Sequence, residues 1–145
     1  MQLFLSHATV DRHLVETIQA RLTPLGVNVY AKIQDAIRRS DLMVVLLTKS
    51  GDSSHYVHQE IGYAKRDGKL IIPLVTSDVS RNGLGMLEGI EYIVVDDEDP
   101  AEALQQLSNR IASLARSRAQ QHQDQLVMAG MILIAVGVFL IAMNE

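Results

Sequence analysis

Apolar positions along this chain switch between two spacings. Leu42-Met-Val-Val-Leu-Leu-Thr48 is an unbroken apolar run, too short for a buried helix, and the breakers Lys49-Ser-Gly-Asp-Ser-Ser54 follow it. It predicts a strand covered on both faces, as parallel strands are. The period then lengthens. Val57, Ile61 and Ala64 fall at i, i+4 and i+7, the core stripe of a helix from about His55 to Asp67, with Ser54 as its N-cap and Gly68 as its stop. Tyr56, Glu60 and Tyr63 share a neighbouring face nearer the strand edge. A carboxylate on a helix leaving the C-terminal edge of a buried strand stands where open parallel sheets bind ligands.

The same alternation runs from the first residue. Leu3-Phe-Leu5 is an apolar strand, and Leu14, Ile18 and Leu22 mark a helix from about Val10 to Leu22, closed by Pro24 and Gly26. Val27-Asn-Val-Tyr30 is a short second strand, and Ile33 and Ile37 mark a brief helix through Arg39. After the Glu60 helix come Leu70-Ile-Ile-Pro-Leu-Val75 and Tyr92-Ile-Val-Val95 as strands four and five. The next helix has a clear start: Asp99 as N-cap, Pro100 in its first position, Glu102 in the first turn, and Leu104, Leu107, Ile111 and Leu114 as a buried stripe. Alternation at this spacing predicts an α/β domain, a parallel sheet with helices on both faces, over residues 1–115.

The tail departs from this pattern. Residues 116–125 are a polar connector that either frays or continues the helix, and residues 126–143 contain no charge. As a helix the latter would span roughly 27 Å, close to the ~30 Å hydrocarbon core of a bilayer. The segment is apolar all round, so a single C-terminal transmembrane helix is expected, with a buried or oligomer-forming soluble helix as the alternative. Arg110, Arg116 and Arg118 precede it and only Asn144 and Glu145 follow, which predicts a cytoplasmic domain. Gly130 and Gly137 put small residues on one face, where helices could pair closely. Met1-Gln-Leu-Phe-Leu5 is too short for a secretory signal and leads straight into the domain.

Composition narrows the chemistry. With 145 residues, 48% hydrophobic, there is material for one ordinary domain plus the tail. No cysteine is present, which excludes thiolate metal sites, cysteine nucleophiles and disulfides. A formal charge of −4 without a basic stripe argues against nucleic acid as a partner. His55, His58 and Glu60 fall at i, i+3 and i+5, which do not converge on one helix face, so no metal is assigned.

Three segments carry a family likeness: Leu3-Phe-Leu-Ser-His-Ala-Thr-Val-Asp11, Ala36-Ile-Arg-Arg-Ser-Asp-Leu-Met-Val-Val-Leu-Leu-Thr48 and Ser53-Ser-His-Tyr-Val-His-Gln-Glu-Ile-Gly62. In this order, at strand ends, they resemble a bacterial Toll/interleukin-1 receptor (TIR) domain. The resemblance implies a flavodoxin-like sheet of five strands and, in many members, cleavage of the nicotinamide–ribose bond of NAD⁺, linear or cyclising, often in bacterial anti-phage defence. It implies NAD⁺ as substrate with no separate cofactor, and self-association through TIR contacts, to which the tail would add membrane contacts. Tyr56-Val-His-Gln-Glu60 matches the family's aromatic-x-x-x-Glu pattern, with tyrosine in place of the commoner tryptophan, and makes Glu60 the catalytic candidate. Ser6 and His7 match the loop after the first strand, where the family contacts substrate, and Tyr56 could stack on it or simply pack. Asp11 also matches a family position, but capping the first helix is the simpler role for it.

One departure is as informative as the matches. The family carries a long loop beside the pocket after the second strand, whereas here Val29-Tyr30 runs almost directly into Ala31-Lys-Ile-Gln34. Even an ordinary strand-to-helix connection takes about 2–6 residues. A catalytically silent TIR scaffold at the membrane is therefore the alternative function, favoured by the short loop and by Tyr56 and opposed by Glu60. A nucleoside deoxyribosyltransferase-like enzyme, which also uses a glutamate on a related fold, is a third. A phosphoacceptor receiver would need an acidic cluster where Ser6-His7 stands.

Overall fold

The structure, a computed structural model, describes residues 1–30, 34–49, 55–96 and 98–142. Five strands form one sheet: β1 (Gln2–Ser6), β2 (Asn28–Tyr30), β3 (Leu42–Leu47), β4 (Leu70–Thr76) and β5 (Ile93–Val95). Their order is β2-β1-β3-β4-β5 and every pairing is parallel, with Leu3 opposite Leu42 and Ser6 opposite Val45. Between them run α1 (Arg12–Leu22), α2 (Gln34–Arg39) and α3 (His55–Arg66), and α4 (Ala101–Ala142) follows β5. The parallel α/β sheet with flanking helices expected from the alternation is what the chain forms, and its strand order is the flavodoxin-like one. That order reverses beside β1: the chain first steps outward to β2, then returns to β3 on the other side. The crevice at the carboxyl ends of β1 and β3 is the topological switch point of the sheet.

Burial explains the unbroken apolar strands. Every residue of β3 is buried, and so are residues 71–76 of β4. Alternate side chains Phe4, Met43, Val45, Leu47, Ile71 and Val75 form one core cluster with Ile37 of α2, Val57, Ile61 and Ala64 of α3, and Leu87. The intervening positions Leu3, Leu5, Val44, Leu46, Ile72 and Leu74 point to the opposite face and are also buried. The stripes of α1 (Leu14, Val15, Ile18, Leu22) and of the start of α4 (Ala103, Leu104, Leu107) are the buried ones left to cover it. Arg21 Nη2 donates to Gln105 Oε1 at 2.5 Å, which ties these two helices together.

Local signals set the ends of the elements. Gly68 adopts φ 63° just past α3, and Gly68 N–H to Lys65 O (3.1 Å) with Lys69 N–H to Ala64 O (2.9 Å) completes a Schellman cap. Asp99 Oδ1 accepts from Ala101 N–H at 3.2 Å, the start signal expected for α4. Asp11 behaves differently from the expected N-cap. A 3-10 turn, Thr9–Asp11, precedes α1, and the Asp11 side chain makes no capping bond. It is buried and accepts from Thr48 Oγ1 at 2.9 Å. Another 3-10 segment, Arg81–Leu87, with Gly85 at φ 47° and ψ −117°, buries Leu87 in the core cluster on the sheet.

The chain divides into two compact units, Met1–Asn109 and Arg110–Glu145, and α4 is continuous across the division, so residues 116–125 continue the helix. Among the described residues no helix is long and apolar enough to cross a membrane, and the anchor expected over residues 126–143 has no support there. Most of that segment, from residue 133 onward, has side chains outside the described set. The short connection expected after Tyr30 and the Ser54 cap fall on residues 31–33 and 50–54 and also lie outside it.

Candidate active site

The end of β1 and the helix α3 meet in the site. β1 ends on Ser6, whose backbone is fixed by pairing with β3 and whose side chain is 1% exposed. α3, the helix after β3, turns its stripe of Val57, Ile61 and Ala64 onto the sheet. That anchors the helix about its axis and leaves Glu60, one position before Ile61, half-buried at the rim of the core. The Ser6 Oγ–H donates to Glu60 Oε2 at 2.5 Å.

Burial pushes the Glu60 carboxyl above the usual carboxylate range, since an anion loses hydration there. The Ser6 hydrogen bond and the nearby charge of His7 pull it back in part. His7 is half-buried, and its Nδ1–H donates to the Leu5 carbonyl at 3.3 Å, which aims the ring from the β1 loop. A carboxyl caught between desolvation and two stabilising neighbours can support a developing cation, accept a proton or deliver one.

Of the four residues singled out by sequence, Ser6, His7 and Glu60 come together. Tyr56 lies one turn earlier on α3 and is 77% exposed. Tyr63, next along this face, carries the Arg66 guanidinium 5.1 Å from its ring centroid. Among the described residues no group of three or more His, Asp or Glu side chains is placed to hold a metal ion.

Two features around the site have no signal in the periodicity. Asp11 and Thr48 join the turn after β1 to the end of β3 through a buried hydrogen bond. The 3-10 segment after β4 leans on α3: Lys65 Nζ donates to the Met86 carbonyl, and a side chain at Gly85 would stand 3.7 Å from His58 Cε1. The only cue to the second was its glycine-rich composition, Arg81-Asn-Gly-Leu-Gly-Met-Leu87.

Fold and site together define a doubly wound α/β protein with a half-buried glutamate at the switch point of its sheet. The chain belongs to the TIR domain family, which matches residues 3–108. No curated protein matches it. Among solved structures, the CMP N-glycosidase BcmB of Clostridium botulinum is similar, with 27% identity and a TM-score of 0.56 over 74% of this chain and 98% of that one. A 2-deoxyribosyltransferase from Bacillus psychrosaccharolyticus also aligns at a TM-score of 0.56, over 75% of this chain and 91% of the other. At 12% identity that likeness is one of fold.

Proposed function

We propose that this protein hydrolyses an N-glycosidic bond, that NAD⁺ is its substrate, and that Glu60 is the catalytic carboxylate. The observation that carries the proposal is the Ser6–Glu60 pair: a partly desolvated carboxylate, held by a buried donor at the switch point of a TIR domain. The likeness to an N-glycosidase supports the reaction class.

The chemistry follows from what breaks. In NAD⁺ the bond between C1′ and the pyridinium nitrogen is cleaved, and the electron pair leaves with nicotinamide, which departs neutral and needs no proton. Positive charge is left on C1′ and the ring oxygen. An ionised Glu60 beside the ribose lowers the energy of that oxocarbenium-like state, a type of stabilisation worth about 10²–10³ in rate. Water then adds to C1′ and gives up a proton, which the same carboxylate can accept. Tyr56 offers a flat, exposed face to the nicotinamide or adenine ring. His7 stands on the β1 loop with Nδ1 turned to the Leu5 carbonyl, so Nε2 is the ring nitrogen left for a ribose or phosphate oxygen, to which it donates when the ring is protonated.

A nucleoside 5′-monophosphate is the second reading, favoured by the 27% identity to a CMP N-glycosidase. A cytosine leaving group must be protonated as it departs, so that reaction would use the protonated Glu60 that burial makes accessible. The pH profile separates the two. NAD⁺ cleavage falls on the acid side as Glu60 becomes neutral, whereas CMP cleavage falls on the alkaline side as it ionises. Assay of base release from NAD⁺ and CMP across pH, beside Glu60→Gln, tests both readings. Release from neither, with the fold intact, would leave a silent TIR scaffold.

The wider setting belongs to the same proposal. Residues 126–143 anchor the chain, with Arg110, Arg116 and Arg118 on the domain side and the domain in the cytoplasm. The exposed side chains of Leu126, Val127, Met128, Met131 and Ile132, which open this segment, support that reading. Confinement in a membrane plane raises the effective concentration of the domains, so self-association would gate activity, in keeping with a role in anti-phage defence.

A further inference from the structure

We infer that Ser6 is a positioning residue, whose hydroxyl fixes the orientation and ionisation of Glu60 instead of contacting substrate. The likeness to TIR domains implies a substrate contact for the loop that Ser6 enters, and the geometry points elsewhere. At 1% exposure, Ser6 has no route to a ligand in the crevice. A hydroxyl has one proton to give, and this one goes to Glu60 Oε2 at 2.5 Å.

The arrangement makes the bond a constraint across the site. Ser6 closes β1 in register with Val45, so the donor sits on a strand paired into the sheet. Glu60 is carried by α3, whose stripe of Val57, Ile61 and Ala64 packs in the core cluster on the sheet. One hydrogen bond spanning 54 residues of sequence therefore sets where the carboxylate oxygens stand relative to the sheet edge. It also leaves the second oxygen, Oε1, as the one to meet substrate. Because the donor faces an anion, the bond favours the ionised carboxylate and opposes burial, which favours the neutral form. His7, on the turn that follows β1, is the other group whose charge acts on Glu60 in that direction.

The consequence for turnover rests on the N-glycosidase reading of Glu60, but the contact can be tested without it. The experiment is a carbon-13 titration of the Glu60 carboxyl in the full chain, with Glu60→Gln to identify the resonance, in the wild type, Ser6→Ala and Ser6→Cys. His7→Gln is run alongside to separate the imidazole contribution. Alanine is smaller than serine and fits the buried position, and cysteine is close in shape but a weak donor. Ser6→Ala should move the Glu60 midpoint to higher pH, with Ser6→Cys between it and the wild type. With NAD⁺, Ser6→Ala should lower kcat roughly tenfold at little change in KM. It should also shift the acid limb of the rate profile upward with the titration. An unmoved midpoint in a folded Ser6→Ala protein overturns the inference, and so does a raised KM at constant kcat, the mark of a lost substrate contact. If the wild type cleaves no N-glycoside, the proposed activity fails while the titration still decides the role of Ser6.

Discussion

Glu60 is held in a state that costs stability where its carboxyl is ionised. Its carboxyl is raised by burial, so the native state binds the proton more tightly than the unfolded chain does. The sign of the linkage follows. The native state is favoured most below the unfolded carboxylate pKa, and stability declines as pH rises through the folded value. Glu60→Gln, neutral at every pH and nearly the same shape, should abolish that decline and raise the melting temperature near neutrality. Thermal unfolding followed from about pH 4 to pH 8 measures it. If the two proteins have parallel melting profiles, Glu60 is not desolvated in solution. At the outer rim, Tyr56→Ala should raise KM several-fold and change kcat little, because an exposed ring can stack on substrate but holds nothing in the core. Glu60 was legible in sequence because helical spacing put it beside the buried stripe. The work of Ser6 was not, since no periodicity reports a bond between residues 54 apart.

Caps and cross-links fix the elements that frame this site. Gly68 adopts φ 63° in the Schellman cap of α3, where a side chain meets no obstacle but the backbone disfavours it. Gly68→Ala should therefore cost about 1 kcal/mol in denaturant unfolding and leave the site unchanged. The Asp11–Thr48 bond is buried, and its loss should be more severe. Thr48→Val takes the donor from a buried carboxylate and should cost about 1–3 kcal/mol, with Asp11→Asn and the double variant completing a cycle that isolates the coupling. Asp11 was expected to cap α1 because aspartate before an apolar period commonly does so. A tertiary partner on β3 overrides that local preference, and sequence spacing does not reveal it. The 3-10 segment 81–87 escaped for a different reason. It has neither the two-residue nor the 3.6-residue period, and its order comes from burying Leu87 and meeting α3.

For the whole molecule, the sheet was legible because parallel strands buried on both faces write themselves as unbroken apolar runs, as at 42–47. The reversal of strand order that brings Ser6 opposite Glu60 was implied only by the family resemblance. The tail is the part of the sequence reading that the described residues test least, because the side chains from residue 133 onward lie outside them. Its apolar run predicts an anchor, and among the described residues no helix is long and apolar enough to cross a membrane. If residues 126–143 anchor the chain as proposed, the full-length protein should stay in the membrane fraction after alkaline carbonate and a chain ending at Gln125 should not. Recovery of the full-length protein in the soluble fraction would refute the anchor.

If Glu60 at the switch point makes this TIR domain an N-glycosidase, as proposed, its removal should abolish base release. Nicotinamide release from NAD⁺ by the full-length protein, at low and high density in nanodiscs and beside Glu60→Gln, tests it most directly. Release should grow faster than protein amount as density rises and should drop at least a hundredfold in the variant. Equal and negligible release from two folded proteins would contradict it.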